Sequence, residues 1–548
     1  MFGVQQMKAL SEHLTSFGQA GLLSSIFLLA CTYTLCNILL NSVYEPIATS
    51  SFHNHSFFTA VNILQAAISV AAMTTVAKLA DLFGRPKIVI ASTVFIPIGT
   101  AVQAVASNVV TFAVGAVLYQ LGLTCIIMSI TIIIADTTSL RSRLFCQLIP
   151  SLPALINTWT AGNISSAVLQ TTTWRWGIGM WSPIYLATAI PLLCCLWVVS
   201  RRASRAHATD ASGARNARVR GDVWRFLVSL FWQLDAIGTL QIIAALNLIL
   251  LPLCLAGGAF KIPWKSPAII TPLILGVLII PVWILWETRS RQPLVPFKLL
   301  KDPAVWAAFL IGMLFDTSHA LQASFLYTYL IVATGESVMS ATRIAGLYKF
   351  VIASVGSLIG VAVYFRPRRL KLIIILGNIL FTVGFGVLSY VRGTVSPWSH
   401  ANIIASQVFL GIGGSMFVYP IQVALQAVCR REYVAIIMSL FFCCNCIGVA
   451  LGNAIAGTIW NQVLPGQLSA TLGSHAEAQS AFADPFAYAN SHPIGTAERD
   501  AVAASYAYVQ RVICLVGVGT SSLQILLSFL IRDPELEKEQ GVSSIGSD

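Results

Sequence analysis

The sequence predicts an all-α polytopic membrane protein with about fourteen transmembrane helices, and three observations predict it. Hydrophobic residues make up 56% of the 548 residues and charged residues only 10%, with a mean hydropathy of +0.78. A soluble domain carries about 25% charged residues, so this chain lacks the charge to coat a water-exposed surface. The apolar residues are gathered into runs of about 20, the length that crosses about 30 Å of hydrocarbon at 1.5 Å per residue. No water reaches the backbone there, so its amides pair within the segment and each run is a helix. The third observation is the placement of Lys and Arg.

In chain order the runs predict helices near 21–44, 57–80, 87–106, 111–134, 143–168, 178–200, 235–257 and 266–286, then 304–333, 340–364, 371–391, 401–428, 433–459 and 509–531. An even number puts both termini on one side. With that side taken as cytoplasmic, 25 of the 33 Lys and Arg fall in inside segments, while Arg175, Lys261, Lys265, Arg343, Lys349, Arg392, Arg499 and Arg511 do not. A three-to-one bias kept loop after loop is the positive-inside pattern. It predicts a multi-pass protein of the plasma membrane, or of an endosomal or vacuolar membrane, with both termini cytoplasmic.

The remaining bulk properties fit this reading. The net charge of +12 is spread over the ends of apolar runs rather than gathered in one patch, which argues against nucleic acid as a partner. Of twelve cysteines, Cys31, Cys36, Cys125, Cys194, Cys195, Cys254 and Cys514 lie inside apolar runs, where Cys behaves as a small hydrophobe. The first run is long enough to span and lacks a small-residue cleavage site, so no cleavable signal peptide is expected.

The chain divides into residues 1–200, a first six-helix bundle, residues 201–303, an Arg-rich cytoplasmic linker (201–225) with two additional spans, and residues 304–548, a second six-helix bundle. The last part includes a long outer loop at 460–508, rich in Ala, Ser, Gly and Tyr. Loops of such length are usually functional or disordered. The tail from Arg532 is short and polar.

Between the second and third helices stands Ala77-Lys78-Leu79-Ala80-Asp81-Leu82-Phe83-Gly84-Arg85-Pro86-Lys87. Gly84 permits a tight turn, and Asp81 and Arg85 at adjoining helix ends can make a charged latch that forms in one conformation and breaks in another. An ordinary membrane-edge charge cluster is the alternative. A second cluster, Asp136 with Arg141 and Arg143, follows the fourth helix, where gating again competes with simple anchoring.

The 77–87 motif resembles the signature loop of the major facilitator superfamily. That resemblance implies a major facilitator fold, two six-helix bundles plus two inserted helices. A narrower likeness follows. Ile132 to Arg141, Pro153 to Ile164 with Asn157, Thr173-Trp174-Arg175-Trp176-Gly177, and Ala450 to Trp460 with Leu464-Pro465 resemble segments of fungal siderophore–iron transporters. So do Gly411 to Gln426, and Pro493 to Arg499 followed by Tyr506 and Gln510-Arg511. The likeness runs from about Tyr33 to Arg532. Drug antiporters of the superfamily carry a Gly-Pro-rich fifth helix, whereas this one offers Pro150, Pro153 and Asn157. One departure matters: the siderophore family carries an acidic residue in the first helix where this chain has Asn37, which puts proton coupling through that position in doubt. Glu45, nearer the outer rim, is a candidate substitute.

An ionisable residue inside hydrocarbon is expensive and usually marks an ion or proton pathway. Asp316 lies within the ninth run, with His319 one turn later on the same face. Two readings stay open: a proton site facing the cavity, or a structural carboxylate paired with Lys349 or Arg343. Tyr44, Trp306, Tyr327, Tyr329, Gln422 and Gln426 are candidates to line a cavity for a bulky polar ligand, as is Asn157 from the resemblance, with core packing the alternative for each. Gly448, Gly452 and Gly457 are read as places where helices approach closely. Cys443-Cys444-Asn445-Cys446 is read as packing rather than a metal site, since only Cys443 and Cys446 share a helix face. His53 and His55 of the first outer loop, with His475 and His492, are expected to be solvated, with pH sensing or substrate contact as the alternative. Asn54 begins a glycosylation sequon.

No nucleophile–base constellation, phosphate loop or redox motif stands in a soluble segment, so an enzyme is not expected, nor any cofactor or resident metal. The resemblance implies a secondary active transporter, monomeric in the bilayer, that takes up ferric hydroxamate siderophores with protons. The competing readings are an efflux carrier for a toxin, metabolite or drug, and a non-transporting sensor on the same fold.

Overall fold

The computed structural model describes residues 16–138, 145–210, 223–257, 262–290, 302–365, 370–390, 397–428 and 434–532. Helices dominate, as hydrocarbon demands of a backbone that must satisfy its own amides. They are α1 (Ser16–Leu39), α2 (Phe58–Phe83), α3 (Arg85–Val105), α4 (Val109–Thr137), α5 (Ala154–Thr171) and α6 (Trp181–Asp210). The short α7 (Val223–Gln233) leads to α8 (Ala236–Leu255) and α9 (Pro267–Arg289). Then come α10 (Pro303–Val332), α11 (Val338–Phe365), α12 (Lys371–Ser389), α13 (Pro397–Val428), α14 (Val434–Leu472), the short α15 (His475–Ala483) and α16 (Pro485–Ser491), and α17 (Ala497–Ser528).

Thirteen helices among the described residues are long and apolar enough to cross a bilayer. The expected fifth span is the exception. Its α5 is only 18 residues long and carries Asn157, Thr158 and Ser165 on its buried face, where it packs against α1 and α11. The start of that expected span, residues 143–144, lies outside the described residues. The first span is longer than expected: α1 passes through a π-helical turn (Leu40–Tyr44) and continues as Glu45–Ser51. Gly84, with φ of 91°, is the break that separates α2 from α3. No side chain adopts that conformation as readily as glycine.

The largest correction concerns 460–508. Helix α14 runs on to Leu472, α15 and α16 follow, and α17 already begins at Ala497. Trp460, Leu464 and Leu468 recur every four residues and are all fully buried, so they form one face of a continuing helix. Alanine, which helped the segment read as a loop, is the best helix former. Thr496 starts α17 by accepting from the Arg499 amide at 3.3 Å.

Within this frame α2 packs along α14 and α5 along α11, joining helices of the first part of the chain to helices of the last. The inserted helix α8 lies against both α2 and α14. Its Cys254 carbonyl accepts from Asn461 Nδ2 at 3.0 Å, its Leu253 carbonyl accepts from Thr458 at 3.0 Å, and Cys254 Sγ meets Thr59 Oγ1 at 3.3 Å. Helix α9 packs on α8. The pairing of α10 with α14 depends on glycine: a Cβ on Gly448 would collide with the Met313 carbonyl, and one on Gly452 would lie 2.7 Å from Ala320 Cβ. With lipid as apolar as the side chains, such close approach is what holds helices together.

Substituting Gly452→Leu is expected to push α10 off α14 and destabilise the purified protein by about 1–3 kcal/mol, the usual cost of overpacking. A melting temperature unchanged from the parent would show that the contact is not needed.

Candidate functional site

Two ends and a middle organise the site. At one end Arg85 opens α3, and its side chain is only 3% exposed. Its Nη2 meets Asp81 Oδ1 at 3.1 Å and Asp136 Oδ2 at 3.3 Å, and its Nη1 donates to the Ala80 carbonyl at 3.2 Å. The two charge clusters expected separately are therefore one, with Arg85 bridging the end of α2 to the end of α4. Arg141 and Arg143 lie outside the described residues. Gln19 of α1 donates to the Thr137 carbonyl beside it at 2.7 Å. Above the triad Met73, Val76 and Ala77 of α2 pack with Met128 of α4 and with Phe442 and Cys446 of α14. Cys443 donates to the Val70 carbonyl at 3.4 Å, so this cysteine is part of the α2–α14 contact.

The opposite end is closed by α15 and α16, the helices that replace the expected loop. Ser50 of the first span donates to Asp484, which also caps α16 through the Ala487 amide, at 2.6 and 3.1 Å. His55 is 1% exposed, which overturns the expectation that it is solvated. Its Nδ1 lies 3.3 Å from the Pro46 carbonyl and its Nε2 lies 3.3 Å from Thr328 Oγ1 of α10, and the Phe486 ring of α16 stands edge-on to it at 5.6 Å. The short turn after α1 (Phe52 to Asn54) aims the ring inward, and the loop composition gives no sign of that. His53, His475 and Asn54 are exposed and His492 is half-buried. Beneath them Trp460 stacks on Phe325 at 3.9 Å between centroids and 3° between planes, with Tyr506 edge-on to Trp460 at 5.0 Å.

Between the ends lie the embedded polar groups. Asp316 of α10 retains partial exposure and has no hydrogen-bond or ion-pair partner among the described residues. Lys349 of α11 likewise makes no ion pair there, and Arg343 is engaged elsewhere, donating to Asn163 Oδ1 at 2.8 Å over the Trp159 ring. His319 stacks on Tyr348 at 4.8 Å, beside Lys349. Glu45 is 3% exposed at the end of the π-helical turn; Gln65 of α2 donates to its Oε1 at 3.5 Å, and its Oε2 meets no donor among the described residues. Asn37 accepts from Asn41 at 3.0 Å, a neutral amide pair in place of a charge.

The cavity candidates are mostly covered in this conformation. Tyr44, Asn157, Tyr327, Tyr329, Gln422 and Gln426 are all buried, and Trp306, half-buried, sits in the first turn of α10, far along the helix from Asp316. The Tyr44 ring packs on Gly177. Asn157 donates to the Cys31 carbonyl and to Thr34 Oγ1 at 2.9 and 2.7 Å, holding α5 to α1, and Gln426 reaches Met438 Sδ at 3.1 Å. Sequence reasoning missed Gln65, Asp484 and the hydrogen bond between Ser151 and Tyr419, which joins the start of α5 to α13. Only Gln65, an amide within an apolar run, carried a local signal.

Residues 22–453 match the family model described as Major Facilitator Superfamily. Siderophore iron transporter 1 of Saccharomyces cerevisiae is 36% identical over 94% of this chain and 82% of its own length, and Siderophore iron transporter ARN1 of the same yeast is 36% identical over 96% and 84%. Siderophore iron transporter mirC of Emericella nidulans is 29% identical over 98% and 88%. Among solved structures, the peptide transporter POT aligns with a TM-score of 0.55 at 17% identity, over 95% of this chain and 99% of that one. A bacterial homolog of the human lysosomal transporter Spinster, inward-facing, aligns at 0.58 and 14% identity, over 94% and 98%. These two speak to the fold.

The bridge through Arg85 yields a prediction of its own. If one guanidinium serves both carboxylates, Arg85→Gln and Asp136→Asn should be non-additive in thermal stability, with a coupling of about 0.5–3 kcal/mol. Strict additivity in that double-mutant cycle would mean that Asp136 does not depend on Arg85.

Proposed function

We propose that this chain, which belongs to the Major Facilitator Superfamily and within it to the siderophore iron transporter family, imports ferric hydroxamate siderophores together with protons by alternating access. It is a transporter, not an enzyme. The observation that carries the coupling is Asp316, an embedded carboxylate without a partner among the described residues, on the helix that packs against both α14 and α17. A group so costly to hold in hydrocarbon is kept for an ion or proton path. Glu45, buried with one oxygen unmet, is the second candidate.

The positive-inside bias supports placing the Arg85 end in the cytoplasm and the Asp484 end outside. On this reading the Asp81–Arg85–Asp136 triad latches the inner end, while Ser50–Asp484 and the Phe325–Trp460 stack close the outer end. Rocking of the two six-helix bundles would open one end as the other closes. Tyr327, Tyr329 and Gln422 would then be uncovered to meet a chelate through rings and an amide. The iron travels as substrate, inside its chelate. The protein acts as a monomer in lipid. Export of a metabolite is the second reading, favoured by Asn37, whose pairing with Asn41 leaves that position neutral.

The experiment is uptake of radiolabelled iron, offered as several ferric hydroxamates, by yeast cells lacking their own carriers and expressing this chain. Import predicts saturable uptake, selective for a chelate and collapsed by an uncoupler. No uptake despite surface expression would overturn it in favour of export. In the same cells Asp316→Asn should reduce accumulation to passive equilibration while chelate binding persists; full accumulation by the variant would remove Asp316 from the coupling.

A further inference from the structure

The turn after the first span holds a titratable side chain that the proposed transport cycle does not use. His55 opens a short 3₁₀ turn (His55–Phe57) ahead of α2 and is 1% exposed. Three elements meet on its ring: the first span through Pro46, α10 through Thr328 and α16 through Phe486.

Two hydrogen bonds define where the ring carries its proton. The Pro46 carbonyl, 3.3 Å from Nδ1, can only accept, so Nδ1 carries the hydrogen. Nε2 is then the bare nitrogen and accepts from the Thr328 hydroxyl at 3.3 Å. The neutral ring is satisfied on both sides. A second proton, on Nε2, sets two donors against each other unless the Thr328 hydroxyl turns away. It also brings a charge among Phe486 and Phe325, whose rings stand 5.6 and 6.4 Å off, where burial makes charge costly.

Little around the ring offsets that charge. Asp484, the cap of α16, lies near enough to act on it, but among the described residues the two make no ion pair. Its Oδ1 is already held by Ser50 and by the Ala487 amide. Tyr488 of α16 stacks on His492, and Tyr327 of α10 packs on Phe486. Glu45, beside Pro46, takes its hydrogen bond from Gln65 of α2. His475 and Glu477 of α15 are exposed, α14 carries no Asp, Glu, Lys, Arg or His, and α2 carries none before Lys78.

We propose that His55 is a proton site of the gate itself, separate from coupling: neutral, it helps to shut the Asp484 end, and protonated, it releases that end. An imidazole in water takes its proton at about pH 6.5, so an opened end holds one where the shut end has no place for it. A proton held better by the open form shifts the balance toward that form. On the orientation argued above, the acidity sensed is that of the outside. The site needs no chelate and no proton on Asp316, so it can fail while the transport reading stands, and the reverse.

The test uses the full chain in lipid nanodiscs without any chelate, with spin labels on unnatural amino acids at the exposed positions Ser51 and Gln479. Distances are measured from about pH 7.5 to about pH 5, across the range in which imidazole titrates. In the parent the ratio of open to shut forms should rise with acid, by up to about tenfold per pH unit, the limit for one proton. His55→Gln, whose amide can keep both hydrogen bonds without titrating, should stay shut throughout. Asp484→Asn and Asp316→Asn should both keep the acid response. A parent indifferent to pH, or one whose distance acid shortens, would overturn the proposal. So would an acid response that survives in His55→Gln or vanishes in either Asn variant. A His55→Gln chain open across the whole range would overturn it as well, since a neutral side chain there should leave the end shut.

Discussion

Two seams carry this molecule: α2 along α14, and α5 along α11. In water such seams would be driven together by apolar burial, but lipid is as apolar as the side chains it would replace. Contact therefore has to come from close packing and modest polar bonds. Thr158 meets the Gly346 carbonyl at 3.3 Å, Ser165 meets Thr342 at 3.3 Å, and Cys443 meets the Val70 carbonyl at 3.4 Å. Each is long and individually weak, which suits a surface that must slide without coming apart.

The stronger interactions sit at the ends of the seams. At one end Arg85, itself almost withdrawn from solvent, draws α2, α3 and α4 into a single charged knot. Removing one member of a buried ion pair strands the other, so such a knot resists partial disruption. At the other end Asp484 and Phe486 of α16 reach the first and second spans, and Trp460 stacks on Phe325. Asp316 and Lys349, which make no ion pair among the described residues, lie between, where a stable protein has least reason to place them.

Much of the fold was legible because membrane helices write themselves in composition. Long apolar runs, Gly84 at the break and the Lys and Arg bias are local signals, and they led to the right architecture. The segment 460–508 was misread because Ala, Ser and Gly suggest a loop until the spacing of Trp460, Leu464 and Leu468 is weighed. The site was harder. Asp81 and Arg85 are four residues apart across the Gly84 break and visible in sequence, whereas Asp136 joins them only through the packing of α4. His55 belongs with Thr328, 273 residues away, and no periodicity announces that. Tyr44 and Asn157 are polar positions in apolar runs, and sequence cannot say whether such a group meets ligand or another helix; here they meet Gly177 and α1.

The central claim is that the two ends open reciprocally about these seams. Electron–electron distance measurements test it most directly, with spin labels carried on unnatural amino acids at exposed positions. One pair, Ser51 and Gln479, spans the Asp484 end, and the other, Lys87 and Leu372, spans the Arg85 end. On adding a ferric hydroxamate under acidic conditions, the account predicts that one distance lengthens as the other shortens. Distances that move in the same direction, or that do not move at all, would contradict it.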